Sequence, residues 1–180
     1  VNCPYCPAAA MAVGRLLEEG KAVAPVAFHT SAFSVPEFYT NETNQRASYY
    51  YINSYPTMKV DGVLSPYVGG QSNNQEYIDY SYNQALSAYN QRINVTSPFE
   101  LDLSFSWKSG TQFEVTATAN KVGTCNSSDV RVFIALTESH IKRAWQGMSE
   151  LNYVVRDMIP NQNGKQMTGD NIEFTETFDI

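Results

Sequence analysis

Val1-Asn2-Cys3-Pro4-Tyr5-Cys6-Pro7-Ala8-Ala9-Ala10-Met11-Ala12 is the stretch that decides how the first half of this chain reads. Two cysteines two residues apart run into an alanine-rich segment. Ala10, Val13 and Leu17 then recur at helical spacing, and Gly20 ends the pattern. The reading is a dithiol at the start of a helix that runs from Cys6 to Glu19. There, unpaired backbone N–H groups and the positive end of the helix dipole favour a thiolate, the species that attacks disulfides. The spacing alone leaves three chemistries open: a redox pair, a structural disulfide, or half of a zinc site. Zinc needs two further ligands, and His29, Cys125 and His140 stand isolated in the sequence, so no metal site is assigned.

Outward from the dithiol, residues 1–95 alternate helix and strand. Val23–Phe28 is a short apolar run with the pattern of a buried central strand, weakened by Pro25. Ser34–Tyr51 is polar and predicted helical after Pro36, with Tyr49-Tyr50-Tyr51 packing that helix end against the sheet. Ser54–Val63 reads as strand, Asp61-Gly62 turn, strand. Gly69-Gly70 breaks the chain. A long helix follows over Asn73–Arg92, with Ile78, Tyr82, Ala85 and Tyr89 on one stripe.

After Asn94-Val95-Thr96-Ser97-Pro98 the hydrophobic period changes to two. Phe99, Leu101, Leu103, Phe105 and Trp107 alternate with Glu100, Asp102, Ser104 and Ser106, and Phe113, Val115, Ala117 and Ala119 repeat the pattern. Val130–Leu136, Tyr153–Met158 and Ile172–Phe178 continue it. Half-buried strands joined by turns such as Ser109-Gly110 predict an all-β antiparallel sandwich over 96–180, in which the Phe99–Trp107 apolar set faces a core and Glu100 and Asp102 face solvent. Trp145-Gln146-Gly147 and Asn152–Arg156 form its most irregular part. Arg156, amid apolar residues, is expected to pair with a nearby carboxylate.

The chain has 180 residues, 43% hydrophobic and 17% charged, which is a globular balance without a disorder signature. A net charge of −6 with no Lys/Arg cluster argues against nucleic-acid binding. No apolar run reaches membrane-spanning length. Cys125 is left over as an odd cysteine in a Gly123–Ser127 loop, and three cysteines are too few for a disulfide-stapled scaffold. The sequons at Asn41, Asn94 and Asn126 match chance expectation in so Asn/Ser/Thr-rich a chain and carry no weight. The start immediately before the dithiol and the stop at Ile180 inside a strand-like pattern give the reading of a segment of a longer polypeptide, lacking a first strand and truncated at its C-terminal end.

Cys3-Pro4-Tyr5-Cys6, followed by Tyr55-Pro56-Thr57 leading into Met58-Lys59-Val60, resembles the thioredoxin superfamily in order and spacing. Val26-Ala27-Phe28-His29 and Asn152-Tyr153-Val154-Val155-Arg156 extend the likeness. With them, nearly the whole chain resembles the bacterial twenty-eight-kilodalton outer-membrane lipoprotein family, mostly from the Bacteroidetes, whose members join a thioredoxin-like domain to a β-domain. The resemblance implies a thioredoxin-like α/β domain over 1–95 and a β-sandwich over 96–180. It places Cys3 as the exposed attacking thiolate, Cys6 as the buried resolving thiol, and Pro56 as a cis-proline shaping a substrate ledge. Tyr55 flanks that ledge, and Pro4 and Tyr5, between the cysteines, join it in substrate contact. His29 ends a strand on the side that approaches the dithiol and is expected to be a hydrogen-bonded structural histidine. The implied location is extracytoplasmic, periplasmic or at the cell surface, with any lipid anchor outside this segment.

The functional expectation is thiol–disulfide exchange on the thiols and disulfides of exported proteins, with no cofactor. The alternative is a surface interaction or adhesion protein that uses the same fold as a scaffold and the cysteines as a structural disulfide.

Overall fold

The computed structural model describes residues 1–179; Ile180, where the strand-like pattern stops, lies outside them. The fold is mixed α/β. Three helices, α1 (Cys6–Glu18), α2 (Asn41–Tyr49) and α3 (Gln75–Arg92), precede the strands β1 (Phe99–Ser109), β2 (Gln112–Lys121), β3 (Arg131–Val132), β4 (Ile134–Glu138), β5 (Ile141–Trp145), β6 (Met148–Leu151), β7 (Val154–Ile159), β8 (Lys165–Gln166) and β9 (Asn171–Asp179). The chain forms two compact units: Val1–Val95 with Thr137–Arg156, and Thr96–Leu136 with Asp157–Ile180.

In the first unit, α1 and α3 pack along the stripes the sequence marks. Ala12, Leu16, Tyr82 and Ala85 form one buried cluster, joined by the partly buried Val23, Met58 and Leu86. Small side chains at Ala12 and Ala85 let the helices approach closely. Above that contact, Arg15 lies 3.8 Å over the Tyr82 ring and reaches Asp79 at 3.1 Å. Local capping sets the helix ends. Asn74 Oδ1 accepts from the Glu76 and Tyr77 N–H groups to start α3, and Thr40 and Thr43 exchange side-chain and backbone bonds to start α2. The segment after Pro36 is therefore a short 3₁₀ turn (Pro36–Phe38) and then α2, rather than one helix, because Thr40 restarts the chain in extended geometry.

Three expectations about this unit fail. Val23–Phe28 is not a strand; it makes one parallel bridge, Ala27 with Val154, through Ala27 N–H to the Tyr153 carbonyl (2.7 Å) and Val155 N–H to the Ala27 carbonyl (3.1 Å). Pro25 has no donor, and among the described residues Val26 and Phe28 make no backbone hydrogen bond. Nor do the tyrosines cover the sheet: Tyr49 and Tyr51 are exposed, and Arg46 stacks on Tyr49 and Tyr50 instead. The Asp61-Gly62 turn is as read, both residues having positive φ, but the strands expected on either side of it over Ser54–Val63 do not form. Only Val60 and Leu64 bridge, and among the described residues no strand lies within 1–95, so the expected alternation of helix and strand there fails.

The partner of Ala27 comes from residues 137–156, which explains why this stretch belongs to the first unit and not to a continuous 96–180 domain. Val154 packs with Val1, Phe38 and Leu151 in a second buried cluster. The β5–β6 hairpin stands beside it, turning through Gln146 and Gly147, both at positive φ. Arg156 pairs with Glu138 at 2.7 Å and donates to the Glu37 carbonyl at 2.6 Å.

The second unit contains a three-stranded antiparallel sheet, ordered β1-β2-β9, and the short β3–β8 pair. This corrects the two-sheet sandwich. The period-two pattern correctly places Leu101, Leu103, Phe105 and Trp107 on one face of a strand, opposite Ala119, Ala117, Val115 and Phe113. It does not bury them. Val115, Ala117, Ala119 and Phe174 on that face are buried, whereas Leu101, Leu103, Phe105 and Trp107 are 73%, 57%, 75% and 59% exposed. Alternation buries a side chain only where a second layer lies over it, and over β1 none does among the described residues.

Candidate redox site

Cys3 and Cys6 form a disulfide with Cα atoms 5.5 Å apart. The loop that carries it is fixed from both sides. Asn2 N–H donates to the Phe33 carbonyl at 2.9 Å, Gly70 N–H to the Tyr5 carbonyl at 2.7 Å, and Ala8 N–H to the Gly70 carbonyl at 3.0 Å. The last bond satisfies a donor that a helix start leaves open. Pro7, at the second helical position, has no N–H to offer.

The Tyr55–Pro56 peptide is cis, and Pro56 lies against the dithiol loop through Gly69. A Cβ on Gly69 would stand 3.0 Å from Pro56 Cγ and 3.2 Å from the Tyr5 carbonyl oxygen, and the glycine's φ of +136° is itself closed to other residues. Gly69-Gly70 is thus more than a chain break: it is the piece that seats Pro56 beside Tyr5. The ring of Tyr55 packs on Phe33 at 5.3 Å between centroids, while Pro4 and Tyr5 project into solvent. Cys3, Cys6, Tyr55 and Pro56 all border one cavity of about 1340 Å³ within the first unit, whose wall also includes Val26, Phe28 and Met58.

The exposure of the two cysteines is opposite to the order the resemblance implies. Cys3 is 3% exposed, whereas Cys6 is partly open. The chain ahead of Cys3 runs inward, with Val1 in the Phe38–Leu151–Val154 cluster and Asn2 tied to Phe33, so Cys3 is carried under the loop. Cys6 opens α1 as its first helical residue and holds the position at the positive end of the dipole.

His29 borders the same cavity, 6.3 Å from the Phe38 ring. Burial, then the charges of the Val1 amine and Arg156, push its pKa down to about 4, so it is neutral at neutral pH. No hydrogen bond holds its ring among the described residues, contrary to the structural role expected of it. Sequence reading missed Glu150, which gathers Asn152 (3.1 Å), Lys142 (3.0 Å) and His140 (3.2 Å) on the β5–β6 hairpin and whose pKa those bonds lower to about 2. A Gln-Gly pair between two apolar-bearing runs was the signal for that hairpin. Cys125 is a half-buried free thiol in the second unit. No helix among the described residues is long and apolar enough to cross a membrane. Comparison with known proteins finds no matching family model, no matching curated protein and no matching solved structure.

Proposed function

We propose that the first unit is a thioredoxin-like domain and that the protein is an extracytoplasmic thiol–disulfide oxidoreductase acting on exported proteins. The observation that carries this reading is the seating of the cis Pro56 loop and the dithiol loop on one glycine, Gly69, at the rim of an apolar cavity. A nucleophile needs its substrate held in extended form beside it, and the backbone of Val26, Phe28 and Met58 around that cavity, which makes no backbone hydrogen bond among the described residues, offers pairing groups for such a segment. Membership in the outer-membrane lipoprotein family, with a lipid anchor outside this segment, is part of the same proposal and rests on the motifs alone.

The roles proposed here follow the exposure of the two cysteines, which supports Cys6 as the sulfur that meets substrate. A substrate thiolate attacks Cys6 Sγ, the Cys3–Cys6 bond breaks, and Cys3 leaves as a thiolate that takes up a proton. A second substrate thiolate then attacks the substrate sulfur of the mixed disulfide and releases Cys6. Substrate dithiol becomes disulfide, and the protein is left reduced. In reverse, Cys6 attacks a substrate disulfide and Cys3 resolves the adduct. The burial of Cys3 favours a second reading, in which the bond is a structural staple and the fold a surface-interaction scaffold.

Trapping separates them. In a Cys125→Ser background, Cys3→Ser is expected to accumulate mixed disulfides with scrambled, disulfide-containing substrate protein, and Cys6→Ser is not. Adducts on Cys3 alone would overturn the role assignment, and adducts on neither would favour the staple.

A further inference from the structure

β1 is an edge strand of eleven residues, Phe99–Ser109, paired among the described residues with β2 on one side only. The parity of its hydrogen bonds follows from the strand's start. Val122 N–H donates to the Pro98 carbonyl at 2.9 Å, so in the register that continues as far as Trp107, where it shifts at Lys108, the even-numbered residues from Glu100 to Ser106 spend their backbone groups on β2. Leu101, Leu103, Phe105 and Trp107 therefore turn theirs to the open edge and also carry the exposed apolar side chains, whereas Phe99's N–H and carbonyl are taken up by the Ser97 hydroxyl at 3.0 and 2.8 Å. A long apolar edge of this kind invites another strand. The opposite edge does not match it: Phe174 of β9 is buried, and Ile172 and Phe178 are half-buried.

We propose that β1 is a homodimerisation edge, in which two copies of this chain pair their Phe99–Ser109 strands antiparallel about a two-fold axis through Ser104. That register pairs Leu101 through Trp107 and matches odd residue with odd residue, as the free backbone groups require. It sets Leu101 against Trp107 and Leu103 against Phe105 on the apolar face. On the polar face it sets Asp102 against Ser106 and brings Glu100 toward Lys108, the residue at the register shift that ends the regular strand. The sequence is thus self-complementary in charge only when antiparallel: acids lie at one end of the strand and Lys108 at the other, so a parallel pair would place like charges side by side. Lys108 already contacts Glu114 of its own chain at 2.7 Å with its side chain still 45% exposed, so its charge stays at the seam. Such a C2 contact closes on itself and leaves no free β1 edge. It does not depend on the dithiol chemistry proposed above.

The test uses the 180-residue chain with Cys125→Ser. Sedimentation across the micromolar to millimolar range is expected to show conversion to twice the 20.1 kDa protomer mass. Glu100→Lys alone and Lys108→Glu alone should each weaken association on the order of tenfold, and the double swap should restore it. Ser104 faces its own copy at a non-hydrogen-bonded position, where Cα atoms lie about 4.5 Å apart and a disulfide fits. Ser104→Cys should therefore cross-link in air. Asp102→Cys and Ser106→Cys should cross-link when mixed and not separately. All these positions are exposed, so folding is unaffected. A chain that stays monomeric throughout, or a dimer indifferent to the charge swaps and cysteines (as in packing of the apolar faces against each other, or contact elsewhere), overturns the proposal.

Discussion

α3 and β1 are both read from the spacing of apolar residues, yet their stripes end in different environments. On α3, Ile78, Tyr82 and Ala85 are buried, the last two against α1; on β1, Leu101, Leu103, Phe105 and Trp107 share a face and stand bare. Periodicity fixes which side chains share a face, because that depends on local backbone geometry alone. Whether the face is covered depends on a partner that the local pattern does not encode.

The sharpest way to break this comparison is truncation on each stripe. Leu16→Ala removes a buried side chain from the α1–α3 cluster and is expected to cost about 2–5 kcal/mol in denaturant unfolding. Leu103→Ala, at protein concentrations low enough to hold the chain monomeric, is expected to stay within about 0.5 kcal/mol of wild type. Equal losses at the two sites would mean that β1 is packed within the protomer.

A smaller effect sharpens the account of the first unit's interior. His29 has a pKa of about 4 in the folded chain against 6.5 when free. Between those values the unfolded chain binds a proton that the folded chain does not, so this contribution to stability is whole above pH 6.5 and declines as the pH falls toward 4. Unfolding as a function of pH should show on the order of 3 kcal/mol of loss across that window in wild type, and a flatter profile in His29→Gln. Superimposable profiles would show that His29 is solvated.

Capping gives the least of these effects. Asn74→Ala removes the side chain that accepts from Glu76 and Tyr77 and should cost about 1 kcal/mol by chemical denaturation, with Asn74→Asp close to wild type. A loss in Asn74→Asp equal to that in Asn74→Ala would assign the effect to something other than the cap.

Much of this was legible where the physics is local. α1 and α3, the Asp61-Gly62 turn, and the strands at Phe99, Phe113 and Ile172 follow from spacing and turn chemistry. The unit division was not legible, because Ala27 pairs with Val154, far along the chain, and neither residue signals the other. At the site, Cys3, Cys6 and Pro56 were marked by sequence; the cysteines are bonded to each other, and Gly69 seats Pro56 against Tyr5 of their loop. The order of exposure of the cysteines was not marked, since it depends on the inward path of Val1 and Asn2. Gly69-Gly70 read as a break because a glycine pair looks the same whether it ends an element or makes room for a proline ring.

The central claim is that the Cys3–Cys6 bond exchanges with substrate thiols, and its reduction potential tests that claim most directly. Cys125→Ser protein equilibrated in dithiol redox buffers and then alkylated would give the reduced fraction by mass. The account predicts half-reduction at a potential above about −300 mV, in the range of disulfides that turn over. A bond that stays oxidised to potentials below that value, as structural disulfides of exported proteins do, would contradict it.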